Sequence, residues 1–326
     1  MANTLLAATI SVTFYVGLYL VLRPRTPNYA IPEDGDFSGE FVELASARNR
    51  TPLFTNLLIF SLAPFARETS ARKLFRRMSA KNNLTHISSS DLYDAVTDEE
   101  KSAKFAQSIT VIADRQQTPV IYDAYHPFVD FERVAFMPRP AYAALVAHPV
   151  DTFVKAFAAN RTKHFWQARL SKLPQKKRRL QMKAILNSTW AIKDFSSCVL
   201  QGDTECVPKP GSIRNSLVSQ FCGTAPDCKK HLSREALQIA KLNMESQFSV
   251  VGVVGMEIDT LRALQAYLPL FMKGALYRKS NLGVEEELIL TPVVRRRLMK
   301  VLALDIELFR FAQRRLDIQN NVLNSR

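Results

Sequence analysis

Glycine is scarce in this chain, 10 of 326 residues, and none stands in the loop at 63–68 that follows the apolar run 57–62. A GxxxxGK phosphate cradle is thereby excluded, because its backbone needs glycine to approach the phosphates. Histidine is scarcer still, at 5, and the four cysteines leave gaps of seven and five residues within their pairs. Structural zinc sites want two-residue gaps and nearby histidines, so no metal is expected. No stretch repeats, which excludes a solenoid. Acidic charge is also in deficit: Asp and Glu number 30 against 44 Lys and Arg, a net charge of +14. Such an excess points to a polyanionic partner: nucleic acid, anionic lipid or sulfated polysaccharide. The plain alternative is a basic solvated surface.

What is present supports a sizeable core, since 47% of 326 residues are hydrophobic, enough for one large domain or two small ones. The cysteines fall into close pairs, Cys198 with Cys206 and Cys222 with Cys228. These spacings suit small disulfide loops, each worth roughly 2–3 kcal/mol, and hence an oxidising compartment. N-x-S/T sequons at Asn49, Asn83, Asn160 and Asn187 agree with a secretory route. Residues 5–22 form an uncharged apolar run of about the minimum length for a membrane span. RPRTP follows it rather than a small-residue cleavage site, which favours a signal-anchor over a cleaved signal peptide. Arg23 and Arg25 lie after the run, whereas a lumenal C-terminus would place them before it. The expected layout is a short tail at 1–4, an anchor at 5–22, a Pro- and Ser-bearing stem at 23–52 and one domain over 53–326.

Within that domain, Leu57–Leu62 is continuously apolar and reads as a buried strand. A loop at 63–68 leads to a basic helix over 69–81. Such a strand–loop–helix is either a phosphate site built on a helix N-terminus or an ordinary α/β unit. A helix is expected over 97–115, strands over 120–123 and 142–146, and a helix over 151–163. The run 175–183, QKKRRLQMK, is a polyanion contact or a solvated face. Over 217–275 the pattern is a cysteine pair, an amphipathic helix with Ala236, Leu237, Ala240 and Met244, a Val-rich strand at 249–254 and a second helix ending at Pro269. Finally, 291–319 reads as one long helix with Thr291 as N-cap and Pro292 at its first position. The alternation of strands and helices predicts an α/β domain.

The order FCG, Cys, AL..AK.N, VVGV and TL..L...LP.F..GA between residues 220 and 275 also resembles a known family. It is similar to the Golgi uronosyl 2-O-sulfotransferases of heparan and dermatan sulfate, and the likeness extends over about 57–316. The resemblance implies a P-loop-like PAPS-sulfotransferase fold: a mostly parallel central sheet flanked by helices, behind an N-terminal Golgi anchor, with the domain in the lumen. It implies 3'-phosphoadenosine 5'-phosphosulfate (PAPS) as donor, no metal and no nucleic acid. The partners it implies are a sulfated glycosaminoglycan, the Golgi membrane, and a second copy or a partner sulfotransferase.

The family's functional positions map unevenly onto this chain. In the first strand–loop–helix the proline is kept as Pro64, but Phe65 stands where the family has a lysine. Thr69 and Ser70 keep the hydroxyls that open the helix, and Arg67 is a nearby cation out of register. At the second junction Pro149, Val150, Phe153 and Val154 keep the frame. There Ala147 replaces the family's arginine for the 3'-phosphate, and Lys155 replaces its serine. With Tyr122, Asp130 and Phe131 in register, Tyr125 falls on the family's catalytic histidine and His126 lies one residue on. His126 is then a displaced base or a structural histidine, since one residue along a strand reverses the face. Lys176, Lys177, Arg178 and Arg179 are the expected polysaccharide contacts. Asn83, Asn160 and Asn187 are the expected glycosylation sites. Two functions follow as alternatives: transfer of sulfate to the 2-OH of a uronic acid, or a catalytically impaired pseudo-sulfotransferase that binds glycosaminoglycan or a partner enzyme.

Overall fold

The core is organised around β1 (Phe54–Leu62), where Leu57, Leu58, Ile59, Phe60 and Leu62 are each at most 2% exposed. A strand buried on both faces can be apolar throughout, and this one is. In the computed structural model, four more parallel strands join it: β2 (Thr85–Ser89), β3 (Val120–Ala124), β4 (Pro140–Val146) and β5 (Phe248–Val253), in the order β2-β3-β1-β4-β5. The structure describes residues 54–62, 68–89, 98–159, 173–188, 193–207, 216–229, 233–276 and 290–325, with single positions between them. Residues 45–326 form one compact unit, and everything described lies in it. The 5–22 run, Arg23, Arg25 and the stem lie outside the described residues. No described helix is long and apolar enough to cross a membrane.

Strand register separates the two faces of the sheet. Phe60 pairs with Asp123, and Asp123 with Ser88, so these side chains share one face. Helix α1 (Glu68–Asn82) covers it, with the Phe75 ring 4.5 Å from that of Phe60. On the other face α2 (Glu99–Arg115) places Phe105 5.6 Å from Tyr122. The short α3 (Phe131–Ala135) extends that layer through Phe131 and Tyr142. α4 (Pro149–Ala159) follows β4, and α5 (Gln175–Leu186) carries the basic run with no buried residue. α6 (Phe195–Gln201) packs Cys198 and Val199 against α4 in a second apolar cluster. Both expected disulfides are present, Cys198–Cys206 and Cys222–Cys228, with Cα separations of 5.9 and 5.5 Å.

The later helices enclose β5. α7 (Leu217–Cys222), α8 (Pro226–Lys229) and α9 (Arg234–Gln247) follow in order, and Ala236, Leu237, Ala240 and Met244 are the buried residues of α9. Gly223 ends α7 at φ +94°, with a Cβ there falling 2.6 Å from the Phe128 carbonyl oxygen. The FCG signature therefore marks a close approach that only glycine permits. α10 (Glu257–Tyr267) and α11 (Pro269–Met272) come next.

The long helix expected over 291–319 is in fact two, α12 (Pro292–Val301) and α13 (Ala303–Asn324), broken at Leu302 with φ −96° and ψ 17°. Apolar spacing continues through the break, because Leu298 before it and Ile306 after it both belong to the second cluster. Thr291 does cap α12, accepting from the Val294 N–H, with Pro292 in the first turn. α13 supplies donors to the edge strand: Arg315 bonds the Phe248 carbonyl at 2.5 Å and Gln319 the Ser249 carbonyl at 2.8 Å. Pairing the free edge with side chains blunts it against further strand addition. β2 gave no apolar signal, because THISS is a half-exposed edge strand with one neighbour.

Candidate functional site

In an open parallel sheet the crevice forms at the strands' C-terminal ends, where neighbouring connections run opposite ways. Here that place is the exit of β1, between β3 and β4. Pro64, Phe65 and Arg67 lie in the connection outside the described residues. Thr69 and Ser70 fall in the first turn of α1, and Ser70 is half-buried. On the β4 side, Ala147 is 3% exposed, and His148 follows with its ring 5.3 Å from that of Phe309. Lys155 lies two turns into α4 and is half-buried.

The exit of β3 holds the residues of greatest interest. Tyr125, expected from the resemblance at the base position, is half-buried. His126 is 0% exposed, with its ring 4.7 Å from Phe105 of α2. Its Nδ1 bonds the Pro127 carbonyl at 2.7 Å. A carbonyl only accepts, so Nδ1 carries the proton and Nε2 presents a lone pair. Nε2 is buried without a hydrogen-bond partner. Burial lowers the His126 pKa to about 4, against the smaller opposing pull of the Pro127 carbonyl. His126 is thus a neutral residue of the core on the α2 face, enclosed among aromatics. Its backbone carbonyl accepts from Ser61, which in turn accepts from Gln220 of α7. The neighbouring F.DF pattern is structural as well. Asp130 caps α3 by accepting from the Arg133 N–H at 3.2 Å, and Phe131 is 1% exposed.

On the opposite face lies a polar cluster that reading of the sequence missed. Asp123 is 0% exposed and accepts from Arg72 Nε at 2.8 Å, His86 Nε2 at 2.6 Å and Ser88 Oγ at 3.2 Å. Burial raises the Asp123 pKa, but the bonds from His86 and Arg72 together outweigh burial and hold it below the usual carboxylate value. The carboxylate is therefore ionised, and His86 Nε2 is the donor. A signal existed: an acid inside the apolar strand VIYDA demands buried partners. Those partners stand 37 and 51 residues away, and no local pattern names them.

The expected polysaccharide contacts lie on α5. Lys176, Lys177 and Arg179 are exposed and Arg178 half-buried. Gln175, Lys176, Arg179 and Leu180 line a shallow hollow. Asn83 and Asn187 are exposed at the ends of α1 and α5, while Asn49 and Asn160 lie outside the described residues. Among the described residues one group has metal-ligand spacing, Cys198 with Asp203 and Glu205. The Cys198 sulfur is in a disulfide, Asp203 is bonded by Lys193 and Glu205 by Arg161. That chemistry is an ion-paired loop, not a ligand set.

Taken together, a five-stranded parallel sheet with helices on both faces and a crevice at the β1 exit defines an α/β protein of the doubly wound class. No protein-family model matches the chain. Its sequence is similar to heparan sulfate 2-O-sulfotransferase 1 of Xenopus laevis, 26% identical over 229 residues, 69% of this chain and 59% of that protein. Human heparan sulfate 2-O-sulfotransferase 1 is 25% identical over 226 residues, 68% and 58% of the two chains. The Drosophila melanogaster uronyl 2-sulfotransferase homolog pip is 24% identical over 289 residues, 82% of this chain and 54% of that protein. The matches span under three fifths of these relatives' own lengths.

Proposed function

We propose that this chain is a glycosaminoglycan-binding protein of the PAPS-sulfotransferase family whose own sulfate transfer is impaired. The proposal includes the PAPS-sulfotransferase fold and a lumenal Golgi domain over 53–326 behind an anchor at 5–22. The similarity to heparan sulfate and uronyl 2-sulfotransferases supports the substrate class. One observation carries the impairment: His126, the histidine beside the position the resemblance assigns to the base, is enclosed in the core with a pKa of about 4. A hydroxyl of a bulky polysaccharide has no described route to that nitrogen.

The donor side points the same way. Of the described residues at the crevice, Ala147 is apolar and buried, and Lys155 is half-buried two turns into α4; Arg72, farther along α1, is engaged by the Asp123 carboxylate. These residues do not fit a doubly phosphorylated nucleotide held as the family holds it. Each charge-assisted hydrogen bond lost costs about 1.5–3 kcal/mol. Two or three would remove much of the roughly 8 kcal/mol behind micromolar affinity.

Adenosine 3',5'-bisphosphate in a thermal scan tests this reading. A ligand at about 100 times its dissociation constant adds roughly 2.7 kcal/mol of stability, which a scan resolves. The native chain is expected to show no shift, and the double variant Phe65→Lys with Ala147→Arg to gain one. A clear shift at low micromolar nucleotide, abolished by Arg67→Ala or Lys155→Ala, would mean a donor site rebuilt from displaced residues. Sulfate transfer would then be the better reading.

A further inference from the structure

Helix α1 presents an outer face that neither the crevice nor α5 uses. Its inner side is apolar, with Ala71, Leu74, Phe75 and Met78 at most 2% exposed. The outer side carries Lys73, Arg76, Arg77 and Lys81, all exposed. No acid occurs between residues 69 and 82. None of the four cations has a carboxylate partner among the described residues, whereas some other exposed cations do: Lys104 with Glu100 and Arg133 with Glu99. A surface built only for solubility interleaves both signs. The helix dipole accounts for a cation at Lys81, in the last turn, but not for Lys73 and Arg76 farther in. From residue 73 to 81 the stripe rises about 12 Å along the axis. Lys273, exposed beyond α11, adds a cation near its far end, where Asn82 bonds the Phe271 and Lys273 carbonyls at 3.1 and 3.3 Å.

We infer that the outer face of α1 is a docking track for a linear sulfated or carboxylated polysaccharide. The inference rests on the glycosaminoglycan reading above and adds a second contact surface to it. Charge complementarity supplies the attraction, and the shape of the stripe selects the polymer. α1 contributes no exposed large apolar side chain. It therefore offers no wedge for a bilayer and no aromatic platform for nucleobases. α1 also starts at the exit of β1, so a chain lying along the stripe is led to the crevice.

The test is heparin-column elution of the full chain and of the triple variant Lys73→Ala, Arg76→Ala, Arg77→Ala. The variant is expected to elute at lower salt, with the slope of log affinity against log salt shallower by roughly two. It should lose affinity further when Lys176, Lys177, Arg178 and Arg179 are also replaced. Elution of the triple variant with the native chain overturns the track while leaving the glycosaminoglycan reading intact. Failure of the native chain to bind heparin at about 0.15 M salt sinks that reading itself. Should the variant misfold by circular dichroism, lysine acetylation of the native chain decides: heparin should protect Lys73, and unchanged modification overturns the track. Anionic phosphatidylserine vesicles and duplex DNA form the remaining arms. If either loses binding in the triple variant while heparin retention is unchanged, the face belongs to that partner and the proposal fails.

Discussion

At the scale of single residues, the buried polar groups decide more than the exposed ones. Asp123 holds Arg72 and His86 in a largely buried site, so Asp123→Ala removes the carboxylate that both of them bond. Removing one partner of a buried pair costs about 3–5 kcal/mol, and urea unfolding at pH 7 should show a loss of that order. Because the folded Asp123 pKa is lowered, its contribution is present above the ordinary carboxylate range. It disappears as pH falls through the lower folded value, so the gap to Asp123→Asn should close in acid.

His126 and Asp305 form a second residue-scale pair, opposed in sign. Burial lowers His126 from 6.5 to about 4, so between those values only the unfolded chain is protonated there. Stability therefore falls on acidification across that window. Burial raises Asp305 from 3.8 to about 6, with bonds from Ser216 and the Val218 and Leu217 N–H groups pulling back. Between 3.8 and 6 only the folded chain holds that proton, so stability rises on acidification. Each slope is about 1.4 kcal/mol per pH unit, and from pH 4 to 6 they offset. His126→Gln should expose the Asp305 slope, a gain in stability on acidification. Asp305→Asn should expose the opposite one. Parallel profiles for the two variants would refute the assignment.

At the scale of elements, the β5–α10 contact depends on one missing methyl group. A Cβ on Gly252 would overlap the Thr260 Cγ2 methyl. The Thr260 hydroxyl meanwhile accepts from the Val253 N–H at 3.0 Å and locks helix to strand. Gly252→Ala should therefore destabilise by about 1–3 kcal/mol. Thr260→Ser removes the methyl and keeps the hydroxyl, so the double variant should recover part of the loss in a double-mutant cycle. Strictly additive losses would mean that the strain lies elsewhere.

At the scale of the whole molecule, the +14 charge and the two disulfides argue for one cellular setting. Chain made in a secretory host should give no free thiols on non-reducing peptide mapping. It should lose mass at the exposed Asn83 and Asn187 when N-glycans are removed. Free thiols with unmodified asparagines would sink the lumenal assignment.

The amino-acid sequence by itself determined the apolar strands, the amphipathic helices and both cysteine pairs, because those signals are local. Val-rich runs, three-and-four spacing and short gaps can each be read within about fifteen residues. By resemblance alone it also suggested that Phe65 and Ala147 stand at cationic positions and Tyr125 at a catalytic histidine. Tertiary structure alone decided what His126 is, because burial under Phe105 depends on a helix that precedes it in the chain. The partners of Asp123 were likewise settled only by the parallel register of β2 and β3 and by the packing of α1. So was the break at Leu302, since apolar periodicity runs on through it. Such features are pairings across distance, and a linear pattern carries no record of which distant residue a buried charge will meet.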